Sequence, residues 1–159
     1  MKINVITPAF LVVFIMNANA NANANANANA NANNLVFKCT TDNNKQVSLY
    51  RDGENIKYIF GKKNSKPELE IIRKKSDVQI DLEDPEGGGL SNSVEVKNGV
   101  YSYQLISNID KFSEEHESTT SLNIMKGENV IKTLYCTPKS VYGDLINIDP
   151  TYFGSRSQK

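Results

Sequence analysis

Ser93-Val94-Glu95-Val96-Lys97-Asn98-Gly99-Val100-Tyr101-Ser102-Tyr103-Gln104-Leu105-Ile106 alternates in character on both sides of an Asn-Gly dipeptide. Period two marks a half-buried strand, and Asn-Gly marks a hairpin, because a type I′ turn needs positive φ at both central residues. A two-residue loop at Asn98-Gly99 would pair Lys97 with Val100, Val96 with Tyr101, Glu95 with Ser102 and Val94 with Tyr103. Val94, Val96, Tyr101 and Tyr103 then share the core face. Glu95, Lys97, Ser102 and Gln104 take the other.

The neighbouring segments pass the same test. Residues 46–51 and 55–60 flank Asp52-Gly53, and a loop there pairs Leu49 with Ile56 and Val47 with Tyr58. Upstream, residues 35–41 put Phe37 and Cys39 on one side. They join the face of Val47 and Leu49 if the intervening loop holds an odd number of residues, such as Asp42-Asn43-Asn44. Residues 68–72 and 78–82 continue the pattern, with Leu69 and Ile71 inward. Pro85 and Gly87-Gly88-Gly89 exclude a strand interior and mark a loop. Residues 107–121 lose the alternation and are expected to form an exposed loop. Residues 122–125 and 130–136 then close the domain through a turn at Lys126-Gly127-Glu128-Asn129. About eight short strands without an amphipathic helical pattern predict an all-β fold, a small antiparallel barrel or sandwich. Closure would bring the first strand beside the last, which favours a barrel.

The N-terminus carries a different message. Met1-Lys2, an apolar run over residues 3–16 and an adjoining Ala18-Asn19-Ala20 describe a secretory signal peptide over residues 1–20, too short for a transmembrane helix. Residues 21–34 form an Asn-Ala leader whose methyl groups bury too little area to order it. The β-domain is expected over residues 35–138. In the tail, residues 139–159, the stretch 141–148 is apolar enough to dock, as a short helix, and residues 154–159 are expected to be loose. The localisation expected is periplasmic or secreted, with no stable membrane span after signal removal.

The chain holds 18 Lys+Arg and 18 Asp+Glu. Removing Lys2 with the first 34 residues leaves 17 against 18, a balance that does not suit a nucleic-acid binder. Two cysteines, Cys39 and Cys136, lie near the two ends of the patterned region. In an exported chain such a pair predicts a disulfide, closing a loop of about 97 residues and contributing roughly 4–5 kcal/mol in the chain-entropy model. A lipid-modified Cys39 would need small residues before it, where Phe37-Lys38 stand. A metal or nucleophilic thiol would need close partners, and the only histidine, His116, lies in the acidic stretch Glu114-Glu115-His116-Glu117.

No catalytic set, metal or cofactor is expected. Asp81, Glu83, Asp84 and Glu86 cluster before the glycines and leave a small hydrolase using loop carboxylates as an alternative. The cations Lys62, Lys63 and Lys66, with Arg73, Lys74 and Lys75, occupy two inter-strand loops, where they would meet an acidic protein or an anionic envelope polymer. Asn98-Gly99-Val100-Tyr101-Ser102-Tyr103, with the early and late cysteines, resembles the MliC/PliC-type inhibitors of c-type lysozyme over residues 37–136. That resemblance implies an exported eight-stranded barrel that inserts a Ser-Gly, with a lysine further on, into the lysozyme cleft. Ser91-Asn92-Ser93 stands at the Ser-Gly position and Val96 at the family's tyrosine. The function expected is therefore a non-enzymatic binding module of the cell envelope, with a structural or adhesive role as a further alternative. Ser91, Asn92, Ser93, Lys62, Lys63 and Lys66 are its candidate contacts.

Overall fold

The structure, a computed structural model, describes residues 34–83, 89–110, 114, 118–153 and 155–157. The expected signal peptide, the leader up to residue 33, the glycine loop at 84–88 and His116 lie outside the described residues. Ten strands form, and no α-helix does, among the described residues: β1 (Leu35–Thr40), β2 (Lys45–Asp52), β3 (Asn55–Lys62), β4 (Leu69–Lys74), β5 (Gln79–Glu83), β6 (Gly89–Asn98), β7 (Tyr101–Asp110), β8 (Ser118–Lys126), β9 (Asn129–Tyr135) and β10 (Ser155–Ser157). One sheet runs β1-β2-β3-β4 and the other β10-β5-β6-β7-β8-β9. All ladders are antiparallel except β10 on β5.

The hairpins keep the expected faces but shift their turns. Val96 pairs with Tyr103, Lys97 with Ser102 and Asn98 with Tyr101, so the central pair is Gly99-Val100. A two-residue slip conserves every face. Val94 and Val96 are buried and Tyr103 packs on the core, while Tyr101, beyond the core's end, is exposed. At β2–β3 the same slip pairs Leu49 with Tyr58 and Val47 with Phe60 around Gly53-Glu54, and Gly127-Glu128 turns β8 into β9. Gly53, Gly99 and Gly127 have φ of 58°, 64° and 60°, and the residue after each is not in the positive region. Positive φ at the first central position alone is the type II′ pattern, whose twist matches the flanking strands as well as I′ does. The odd loop after β1 is present: Thr41 N donates to Lys45 O (2.7 Å) across residues 42–44. Phe37 faces Leu49 and Cys39 faces Val47 as required.

The loop expected at 107–121 is shorter than its lack of alternation suggested. The ladder continues through Ser107–Thr120, Asn108–Thr119 and Ile109–Ser118. Small hydroxyl residues satisfy one another there instead of burying apolar surface, as in the 2.8 Å bond between the Ser107 and Thr120 hydroxyls.

Between the sheets, Phe37, Val47, Leu49, Ile56 and Tyr58 meet Val94, Val96, Leu105, Leu122 and Leu134. The Tyr58 and Tyr103 rings lie 5.3 Å apart. Burial, with the neighbouring Tyr103 adding to it, pushes the Tyr58 phenol far above its ordinary value, so it stays neutral. Closure into a barrel does not occur. Among the described residues no ladder joins β1 to β9 or β4 to the second sheet, and the fold is a sandwich. At one side Arg73 substitutes for a ladder, its Nε donating to Lys97 O (2.9 Å) and Nη2 to Asn98 Oδ1 (3.2 Å). At the other, the chain leaving β9 runs along β1. Thr41 bridges Cys136, Thr137 N donates to Thr40 O (2.8 Å), and Lys38 exchanges both backbone bonds with Tyr142. The Cys39–Cys136 disulfide lies in this seam, with Cα atoms 5.7 Å apart.

The tail docks without a helix. Leu145, Ile148 and Phe153 are buried in the core, separated by 3₁₀ turns and bends instead of a helical period. Residues 154–159 are not all loose, since Ser155–Ser157 pair with Gln79–Asp81. Among these residues no helix is long and apolar enough to cross a membrane. Gly143 lets the tail cross β1: at φ +84°, a Cβ there would stand 2.2 Å from Val36 O and 3.2 Å from Phe37 Cα. Gly143→Ala is therefore expected to lower the urea-unfolding free energy by about 2–4 kcal/mol. Gly53→Ala, with open space around its Cβ, should cost about 1–2 kcal/mol from its backbone alone. Equal losses would contradict the close crossing.

Candidate functional site

Adjoining depressions form where β2 outruns the core. Val47 and Leu49 are buried, and Arg51, next in the same phase, reaches past the core's end and is exposed. Asn34 O accepts from Arg51 N (2.8 Å), placing the start of the β-domain beside it. The tail supplies the third wall. The Asp149 side chain accepts from Thr151 N (2.9 Å) and Pro150 opens the 3₁₀ turn Pro150–Tyr152, with Ile148 and Phe153 buried on either side. Two anchors and a cap thus hold Tyr152 under Arg51, whose guanidinium carbon lies 4.1 Å from the ring centroid.

Three adjoining depressions meet at Arg51 and Asn34. One of about 390 Å³ is walled by Val36, Tyr142, Asp144, Asn147 and Asp149. A second, of about 360 Å³, includes Asn55, Lys75, Thr151 and Tyr152. A third, of about 160 Å³, includes Tyr50, Asp52 and Lys57. The carboxylates of the first are already engaged. Asp144 accepts from Ile146 N (2.8 Å) and Asn147 Nδ2 (2.5 Å). Hydrogen bonds from Thr151, and behind them the Arg51 charge, hold the Asp149 carboxyl below its ordinary range. The Arg51 guanidinium makes no side-chain hydrogen bond with another described residue. Its five donors form the main uncommitted recognition group of the site.

No known protein family, curated protein or solved structure matches this chain. Function must be argued from the site itself.

The six residues singled out as contacts differ in exposure. Asn92 and Ser93 are buried. Asn92 Nδ2 donates to Leu145 O (3.1 Å) and Ile146 O (2.6 Å), pinning the tail to β6, and Ser93 Oγ accepts from Gln104 Nε2 (3.2 Å). Ser91, on the same strand, is half-buried. Lys62, Lys63 and Lys66 are exposed around the β3–β4 turn. The two basic loops are not neighbours, because β4 separates them by five strand rises, about 17 Å. Arg73 is spent on its bonds to Lys97 and Asn98 of β6, and Lys75 pairs with Glu54 (2.7 Å). Of the carboxylate cluster, only the Asp81 side chain is described; Asp84 and Glu86 lie outside the described residues. Among the described residues no three His, Cys, Asp or Glu side chains converge on a metal site.

Arg51 and Tyr152 were the residues to notice. An arginine in core phase after Val47 and Leu49, and an Asp149-Pro150 pair opening a turn before an aromatic, were visible signals. Nothing in the sequence indicated that they meet. The Asn92 anchor is testable through its protonation chemistry. Asn92→Ala should cost about 1–3 kcal/mol by leaving two carbonyls without their donor. Asn92→Asp should cost more at pH 7, where its carboxylate faces those carbonyls. Its folded-state pKa would be raised above the unfolded value of about 4, so the loss should shrink as pH falls from 7 toward about 4 and the ionic part should be gone below it, where the neutral acid can donate. A loss in Asn92→Asp that does not change between pH 3 and pH 7 would contradict the anchoring role.

Proposed function

We propose that this chain is an exported, non-enzymatic binding module of the cell envelope, which meets its partner at the Arg51 cleft. The observation that carries the reading is the Cys39–Cys136 pair, buried in the seam that holds the tail against β1. A disulfide that closes a 97-residue loop persists in oxidising compartments and is rare in reducing ones. The N-terminal pattern of Lys2, a short apolar run and Ala18-Asn19-Ala20 supplies the matching route out of the cytosol.

The cleft supports binding over turnover. In it, the Asp144 carboxylate is already engaged by Ile146 N and Asn147 Nδ2, and the hydrogen bonds from Thr151 hold the Asp149 carboxyl ionised. Its one arginine is held by stacking, a device for recognition.

Full-length chain expressed with its own N-terminus in a secreting host tests the reading. The product should appear outside the cytosol, shortened within residues 1–34, with both cysteines resistant to alkylation until reduced. Cytosolic full-length chain carrying two free thiols would contradict it.

A further inference from the structure

The second depression at Arg51 differs in composition from the two beside it, which include Asp144 and Asp149 in one and Asp52 in the other. Arg51, Lys75, Asn34, Asn55, Thr151 and Tyr152 line it, and none of its described lining residues is acidic. Every polar group among them can donate a hydrogen bond, and two carry full positive charge. Lys75 keeps part of its ammonium free, since only the largely exposed Glu54 carboxylate engages it, at 2.7 Å. The Arg51 guanidinium carbon sits 4.1 Å from the Tyr152 ring centroid, so the aromatic contact holds the charged head at the mouth of the depression. A planar fork with no side-chain acceptor among the described residues, beside a second cation and two amides, is built to receive an oxyanion bidentately.

The volume narrows the ligand. About 360 Å³ falls within the range of small-molecule sites and fits one sugar-sized unit, more than a bare ion needs. The adjoining depression of about 390 Å³ shares Arg51 and Asn34 and adds Tyr142, Asn147 and Asp144, an aromatic face with acceptors and an amide suited to hydroxyl groups. Two sugar-sized places in a row, one rich in donors and one mixed, suit consecutive units of a chain.

Deepening the binding-module reading, on which it rests for its biological setting, we propose that the Arg51–Lys75 cleft binds an anionic glycan, seating a carboxylate or phosphate oxyanion against Arg51 and the linked sugar beside Tyr142. Carboxylated and phosphodiester-linked polymers share this chemistry, and two probes separate them.

The experiment titrates ¹⁵N-labelled, disulfide-intact protein with sodium glucuronate, with glycerol phosphate and with glucose at constant ionic strength. Saturable shifts centred on the amides of Asn34, Arg51, Asn55, Lys75 and Thr151 are expected for at least one anion and not for glucose. A tighter response to glucuronate assigns the carboxylated source, and a tighter response to glycerol phosphate the phosphorylated one. Arg51→Gln should weaken binding about tenfold or more, as loss of a charged bidentate contact does. Tyr152→Leu should weaken it in the same direction, while the remote Lys63→Gln leaves it unchanged. Should Tyr152→Leu fail to fold, the Arg51→Gln and Lys63→Gln pair still decides. No saturable response to either anion, equal binding of glucose, or equal losses in Arg51→Gln and Lys63→Gln would overturn the proposal. Purified protein answers this whatever its compartment in the cell, so free thiols in the export experiment would sink the binding-module setting and leave this result standing.

Discussion

The seam between β1 and the chain leaving β9 governs the architecture. A two-sheet stack with an unpaired first strand would expose a row of backbone groups on β1. Here residues 136–142 cover that row through the bonds at Thr40 and Lys38, and the Cys39–Cys136 link fixes where the crossing begins. Everything downstream inherits its position from that crossing. Gly143 passes over Val36 with no room for a side chain, Leu145 and Ile148 drop into the core, and Asn92 on β6 holds the carbonyls of Leu145 and Ile146.

The cleft is a consequence of the same path. Only after the tail has crossed β1 and returned to the end of β2 does Tyr152 come to lie under Arg51. Asp149 and Pro150 shape the turn locally, but Ile148 and Phe153 hold it in place through packing. The cleft thus stands on a segment with no strand ladder of its own between residues 143 and 153, held by two buried anchors and by the constraint on Cys136. The basic turn at Lys62, Lys63 and Lys66 contrasts with it, since its cations lie on an exposed turn.

Much of the frame was legible in the sequence. Period-two patterning placed Phe37, Val47, Leu49, Ile56, Tyr58, Val94 and Val96 inward, and the structure buries them. Turn positions were less legible for a definite reason. Moving the centre by one residue, from Asn-Gly as I′ to Gly-Val as II′, shifts each cross-strand partner by two and leaves every face intact, so patterning cannot choose between them. The strand extensions at 107–110 and 118–121 escaped notice because hydroxyl ladders carry no apolar period. Barrel closure was inferred from the cysteines, but the bond joins β1 to the chain just past β9, so it seals a sandwich edge and completes no ladder. The cleft was illegible because Asn34, Arg51, Lys75 and Thr151 come from four separate segments and meet through tail packing.

The central claim is that the disulfide holds the tail, and the tail builds the cleft. Hydrogen exchange on oxidised and reduced protein under native conditions measures this directly, amide by amide. Reduction should release protection at Lys38, Thr137, Tyr142 and Phe153 while the β6–β7–β8 ladder stays protected. Uniform loss across both sheets, or undiminished protection along residues 137–153, would contradict the account.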